Sequence, residues 1–333
     1  MFSYRHAFHA GNHADALKHV TLLATLRHLM AKSTPLTLID THAGAGVYRL
    51  DDGAARLSGE AEQGVARLQA LHQARVSEEN QAPAQAQRAR TATKEEAILL
   101  WDYLALVAGF NSNASPGAPW RVYPGSPFLM HALMTEPGRA AVHDRLKLFE
   151  LHPTDSQALA AHVAQLEAGR QVSVARQDGF EGLKGLLPPP ADRAGSRRAL
   201  VLIDPSYEIK TDYARVAAAV QDGLRRFATG VYLVWYPIIG RAQAHDLPRR
   251  LRTLANQAGR PWLHATLAVG APRSATPAAV PGAEPARPGL TASGMFVINP
   301  PHTLAAGLRA ALPVLQEALA RGPHAGWTVE TGG

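Results

Sequence analysis

Leu36-Thr37-Leu38-Ile39-Asp40-Thr41-His42-Ala43-Gly44-Ala45-Gly46 is an apolar run that ends in an acid and then two glycines. Pro35 sets it off from what precedes, and a run this short and apolar predicts a buried strand. The glycines permit backbone with φ > 0 and a close approach of a ligand to the main chain. A dinucleotide fingerprint would put a third glycine three positions after Gly46, where Arg49 stands. A phosphate-binding loop would need Gly-Lys-Ser/Thr, which is also absent.

Outward from this strand, Leu146 to Phe149, Val172 to Ala175, Ala199 to Ile203 and Val231 to Trp235 read as further strands. Helical stretches such as Asp155 to Ala168 and Tyr213 to Phe227 alternate with them. That alternation predicts a Rossmann-like α/β fold, a mostly parallel sheet with helices on both faces. Trp262 to Val269 and Met295 to Ile298 bring the expected strands to seven. Before the glycine turn, Ala16, Leu17, Val20, Leu23, Ala24 and Leu26 recur at three- and four-residue spacing. They predict an amphipathic helix from His13 to Met30, with Asn12 as its N-cap. Arg56 to Gln73 and Lys94 to Ala108 also read as helices, and Val76 to Ala92 between them as a solvated connector. The expected organisation is one domain over residues 1–333, a helical subdomain inserted at about 50–119 and a flexible Pro/Ala-rich loop at about 271–288.

Of the 333 residues, 46% are hydrophobic and 18% charged, which excludes a wholly disordered, collagen-like or coiled-coil chain. Lys and Arg number 34 against 27 Asp and Glu, and the resulting +7 points to an anionic partner, nucleic acid foremost. Without cysteine there is no disulfide, thiolate metal site or cysteine nucleophile. The start, Met1-Phe2-Ser3-Tyr4-Arg5-His6, lacks a signal-peptide layout, and no apolar run approaches a membrane span. A cytoplasmic protein with no membrane partner is expected.

The pattern Asp40-x-x-x-Gly44-x-Gly46 after a strand resembles motif I of class I S-adenosylmethionine (SAM) methyltransferases, whose ligand carries no pyrophosphate. Glu150 ends a strand where a carboxylate can accept both ribose hydroxyl protons of a nucleoside. Asp178-Gly179 follows the next strand, and its acid can accept from an adenine amino group. Asp204-Pro205-Ser206-Tyr207, after the strand Ala199 to Ile203, resembles motif IV of amino-group methyltransferases, with Ser206 in place of the usual second proline. An amine conjugated to a base is a poor nucleophile because its lone pair is delocalised. The Asp204 carboxylate and Pro205 carbonyl can accept the two N–H protons and localise that pair. Tyr207 is expected to stack on an extruded base. Asn299-Pro300-Pro301-His302 looks closer to the Pro-Pro pattern, but it follows the seventh strand, away from the glycine turn.

The N-terminal string Ser3-Tyr4-Arg5-His6-Ala7-Phe8-His9-Ala10-Gly11-Asn12-His13-Ala14-Asp15-Ala16-Leu17-Lys18-His19 adds a longer match. Together with Asp40 to Gly46, Tyr123 to Pro127, Glu150 to Pro153, Trp235 to Pro237 and Thr291 to Met295, it closely resembles the RlmJ family of bacterial 23S ribosomal RNA adenine-N6 methyltransferases. The resemblance implies SAM as cofactor, 23S rRNA as partner and N6 of one adenine, conventionally adenine 2030, as target. It implies SAM contacts at His19, His42, Gly44, Gly46, Ser126, Glu150, Asp178, Gly179 and Asp204. It also implies Asp204 as catalytic acceptor, with Pro205 and Tyr207 beside it, and Tyr4 and Lys18 near the target nucleotide. Ser206, the connector and the Pro/Ala-rich loop depart from the family pattern.

Phosphate contacts are expected from Arg5, Lys18, Arg49 and the helical insert. Of His6, His9, His13 and His19, only His9 and His13 pair convincingly as helix-spaced ligands, and no carboxylate spacing completes a known hydrolase motif, so no metal site is expected. His6 and His9 are instead expected to order the N-terminal arm over the cofactor. The rival readings are a DNA adenine-N6 methyltransferase and a non-catalytic rRNA-binding assembly factor. Naked rRNA and an assembly intermediate both remain open as substrate, and a monomer is expected.

Overall fold

The computed structural model describes residues 6–81, 97–115, 117–271 and 289–333. Eight strands form the main sheet: β1 (Thr37–Asp40), β4 (Arg145–Phe149), β5 (Val172–Ala175), β6 (Ala199–Ile203), β7 (Val231–Pro237), β8 (Trp262–Ala268), β9 (Ala292–Ile298) and β10 (Gly326–Gly332). Their order is β10-β8-β9-β7-β6-β1-β4-β5. β5, β4, β1, β6 and β7 run parallel, while β9, β8 and β10 pair antiparallel. The count exceeds the expected seven because of β10, an edge strand whose residues Gly-Trp-Thr-Val-Glu-Thr-Gly lack the apolar run of a central strand. A two-stranded antiparallel hairpin, β2 (Val47–Arg49) with β3 (Val122–Pro124), brackets the helical insert.

Period-two alternation builds a core on each face. Leu38, Leu200, Leu202, Val231, Leu233, Met295 and Val297 face one cluster; Ile39, Val201, Ile203, Tyr232, Val234, Phe296 and Ile298 face the other. Both sides of the central strands are therefore apolar, as a sheet covered by helices on both faces requires. Helices Thr211–Arg226 and Ala242–Gln257 cover the second face.

The first face is covered by helices His13–Met30, Ile98–Gly109 and Leu304–Leu319. Asn12 caps the first of these, its Oδ1 accepting from the amides of Ala14 (2.9 Å) and Asp15 (3.0 Å). This helix is not amphipathic as expected: every residue from His13 to Leu26 is buried. The insert supplies the cover for its outer side. Leu100, Tyr103, Leu104 and Val107 join the same core as Leu17 and Leu23. Arg27 clasps Asp102 through Nε and Nη2, both at 2.7 Å. The insert's first long helix runs Val65–Gln81, so the start of the expected connector is helical. Its residues 82–92, and residues 272–288 of the Pro/Ala-rich loop, lie outside the described residues.

A buried ion pair ties this layer to the sheet. Arg139 binds both carboxylate oxygens of Asp144 (2.6 and 2.7 Å) and the carbonyls of Met30, Lys32 and Thr34. Asp144 in turn accepts from the Leu36 amide at 2.8 Å, just ahead of β1. Asp144→Ala strands the guanidinium and is expected to cost about 3–5 kcal/mol in chemical denaturation. Among the described residues no helix is long and apolar enough to cross a membrane.

Candidate active site

Strand register decides which side chains meet. Leu148, Asp40 and Leu202 lie in one row across β4, β1 and β6. Glu150 and Asp204 each stand two residues beyond that row, on neighbours of β1, so three acids emerge at the same carboxyl edge. This is the switch point of a doubly wound sheet, where the chain leaves β1 towards strands on either side. A cavity of about 580 Å³ opens there. Lys18, His19, His42, Gly44, Ser126, Glu150, Asp178, Gly179, Asp204, Pro205 and Tyr207 all line it, as do His6 and His9, expected over the cofactor, and Asp15 and Trp235, which sequence reading did not select as site residues.

The turn after β1 is shaped by its glycines. Gly44 and Gly46 have φ of +59° and +80°, as the motif predicts. Gly44 donates its amide to Glu150 Oε2 at 2.8 Å, and His152 donates to Oε1 at 2.7 Å. Burial raises the Glu150 pKa, and these two amides pull it back in part. Gly46 does not line the cavity; a side chain there would strike Phe128 and Leu159. Gly179 is needed for a different reason, since a Cβ would stand 2.0 Å from the Thr41 carbonyl oxygen. The absence of a side chain lets the turn after β5 press against the turn after β1. Asp178 caps the following helix through the Phe180 amide (2.9 Å) and pairs with Arg215 at 2.5 Å.

Asp40 is fully buried and accepts from the Ser126 hydroxyl at 2.6 Å and the His42 amide at 3.2 Å. Burial, outweighing the Ser126 bond, pushes its pKa up to about 6. The folded state thus holds this proton more tightly than the unfolded chain, and the Asp40 contribution to stability falls as pH rises from about 4 through about 6. Relative to Asp40→Asn, the wild type is expected to lose up to about 3 kcal/mol across that window, read from denaturation at each pH.

At the floor of the cavity, Lys18 Nζ lies 2.6 Å from Asp204 Oδ2 and 2.8 Å from Asp15 Oδ1. Asp15 Oδ2 also accepts from the Gly11 amide (2.9 Å) and lies 3.0 Å from His6 Nε2. Burial opposes the Lys18 charge, but the two carboxylates outweigh it and hold its pKa well above the usual lysine range. Burial raises Asp204 above its ordinary value, and Lys18 offsets this only in part. Buried and paired twice, Lys18 cannot grip an RNA phosphate as expected. Tyr4 and Arg5 lie outside the described residues. Arg49 is exposed and pairs with Asp51, which it shares with Arg121.

The structure also corrects the expectation for Tyr207. Its ring is 2% exposed, packs 4.6 Å from Tyr213, and its hydroxyl donates to the Trp235 carbonyl at 2.6 Å. The ring presents no open face for stacking; half-buried Trp235, 5.9 Å away, is the neighbouring aromatic on the cavity wall. The rival tetrapeptide is excluded by geometry. β9 runs antiparallel to β7, so Asn299 emerges at the opposite sheet edge, where its side chain binds the carbonyls of Ala228 and Gly230.

The lining fits a cation-bearing nucleoside. Of the lining cations, Lys18 and Arg215 pair with acids and Arg241 is bound to the Tyr207 carbonyl, while Glu150, Asp155 and Asp212 add acidic groups suited to the sulfonium and ammonium of SAM rather than to phosphate. His42 and His19 are held neutral by burial, at about 4 and about 3. His19 Nδ1 pairs with the Tyr123 hydroxyl at 2.9 Å, while its buried Nε2 has no partner among the described residues. A ligand polar group in the cavity would satisfy it.

Residues 33–331 match the family described as ribosomal RNA large subunit methyltransferase D, RlmJ. The chain belongs to the RlmJ family. It is 37% identical to the ribosomal RNA large subunit methyltransferase J of Escherichia coli K12, covering 96% of this chain and 94% of that one. The Haemophilus influenzae protein of the same name is 35% identical, with 99% and 98% covered. Among solved structures, protein LPL1258 of Legionella pneumophila superposes with a TM-score of 0.72 at 28% identity, over 97% of this chain and 98% of that one. An RlmJ-family chain is a ribosomal RNA methyltransferase, and SAM is its cofactor.

Proposed function

We propose that the chain methylates the exocyclic N6 of a single adenine of 23S rRNA, adenine 2030 by its resemblance, with the base extruded into the cavity. One observation carries this reading: a half-buried acid, Asp204, followed by Pro205, both lining the cavity at the carboxyl edge next to the motif I turn. SAM, when bound, supplies an electrophilic methyl group on sulfur. Glu150, Asp178 and His19 line the cavity, which supports roles for the two acids in orienting its adenosine and for His19 in donating or accepting through Nε2.

Lys18 holds Asp204 by Oδ2 alone. Oδ1 has no hydrogen-bond partner among the described residues, and the side chain is 15% exposed. That oxygen is the acceptor offered to one N6–H, with the Pro205 carbonyl offered to the other. The amine lone pair is then localised and aimed, and Asp204 can accept the proton released after transfer. Trp235, braced by Tyr207, is the aromatic wall for the base.

Transfer of a radiolabelled methyl group from SAM to 23S rRNA lacking its native modifications, followed by nucleoside analysis, tests the reading. The expected product is N6-methyladenosine at one position. Label in another nucleoside, or none despite SAM binding, overturns it.

A further inference from the structure

The loop after β6 is pinned from across the sheet by one guanidinium. Arg241, between β7 and helix Ala242–Gln257, donates from Nη1 to the Tyr207 carbonyl at 2.8 Å, and the same nitrogen lies 3.5 Å from the Glu208 carbonyl. A charged donor makes such a bond stronger than a neutral one. Tyr207 needs the anchor, because its φ is +54°, a left-handed conformation that residues other than glycine seldom adopt. Its hydroxyl is tied to the β7 backbone as well, at Trp235. Ser206 contributes no comparable restraint. Its side chain is exposed, and its amide donates no hydrogen bond among the described residues. A proline at 206 would restrict ψ of Pro205, whereas serine leaves it free.

We propose that Arg241 is a positioning residue for methyl transfer. By anchoring the Tyr207 and Glu208 carbonyls to the β7 side, it fixes the direction of the Pro205 carbonyl and supplies the restraint that Ser206 lacks. This rests on Asp204 and Pro205 being the acceptor pair for an adenine amine. Arg241 lines the cavity but makes no contact with Asp204; its hydrogen bonds go to the loop backbone, through which it acts.

The test compares full-length wild type, Arg241→Ala, Ser206→Pro and the double variant. Backbone order parameters at Tyr207 and Glu208, from 15N relaxation, are measured beside methyl transfer to 23S rRNA. Arg241→Ala is expected to lower both order parameters and to lower kcat by about ten- to a hundredfold, the scale of a small misplacement of a reacting group. SAM affinity should stay within about twofold, since Arg241 is not among the residues proposed to hold the cofactor. Ser206→Pro in the same chain should raise the order parameters again and return kcat to within about threefold of wild type. Unchanged order parameters in Arg241→Ala overturn the proposal. So does a loss of kcat that Ser206→Pro leaves in place, because a general packing defect would not be repaired by stiffening Pro205. If the order parameters respond as expected but the wild type makes no N6-methyladenosine, the clamp stands and the adenine reading falls.

Discussion

Asp204→Ala is expected to lower methyl transfer to 23S rRNA roughly 10²–10⁴-fold, the range for losing one positioned proton acceptor or one charge-stabilising contact. Folding should survive, because Lys18 keeps its 2.8 Å contact with Asp15 after Asp204 is gone. SAM affinity should fall only modestly, since Glu150, Asp178, Ser126 and His19 are untouched. The loss should therefore appear in kcat and not in SAM binding by calorimetry. Asp204→Asn is the finer probe, retaining one carbonyl acceptor while turning a donor towards Lys18. It should fall between wild type and Asp204→Ala. Full activity in Asp204→Ala would remove the central residue of the proposed mechanism.

Lys18→Met should damage stability more than any change at Asp204. Lys18 is 7% exposed and sits between two carboxylates that are 2% and 15% exposed. Removing it leaves buried Asp15 and half-buried Asp204 without their shared cation, for which the expected cost is about 3–5 kcal/mol. Asp15→Asn added to Lys18→Met should return part of that loss, because it removes one of the two stranded charges. Equilibrium denaturation of the four chains in this cycle measures the coupling. Activity should be lost in Lys18→Met and stay low in the double variant, since Asp204 then has no cation to hold Oδ2 in place. Additive stabilities would mean that Lys18 and Asp15 do not act as a pair.

Much of the sheet was legible because its strands are short apolar runs bounded by turns. β1, β4, β5, β6 and β7 all fall where periodicity and turn residues put them. β10 was not, since an edge strand needs no apolar face on its open side and Gly326–Gly332 shows none. The acids at the carboxyl edge could be ordered along the chain, but only the register reveals that Glu150 and Asp204 stand level with each other, two residues beyond Asp40 on the strands either side of it. Asp15 carried a readable signal that went unused. An acid and a lysine three positions apart on a helix rich in apolar residues can form a pair, and here the pair is buried and lines the cavity. The Tyr207 prediction failed for a tertiary reason: the tetrapeptide names an aromatic, but the carbonyl of Trp235 captures its hydroxyl.

The way the helical insert shares its core with helix His13–Met30 bears on chimeric enzymes. Transplanting residues 53–109 between relatives would carry Leu100, Tyr103, Leu104 and Val107 away from the Leu17 and Leu23 surface they were shaped against, and would split Asp102 from Arg27. Any difference in target choice encoded in that segment therefore cannot be exchanged as a cassette; the graft must bring the facing side of the first helix with it. That same helix carries Asp15 and Lys18, so substrate preference and the acid–lysine pair at the cavity floor would be inherited together.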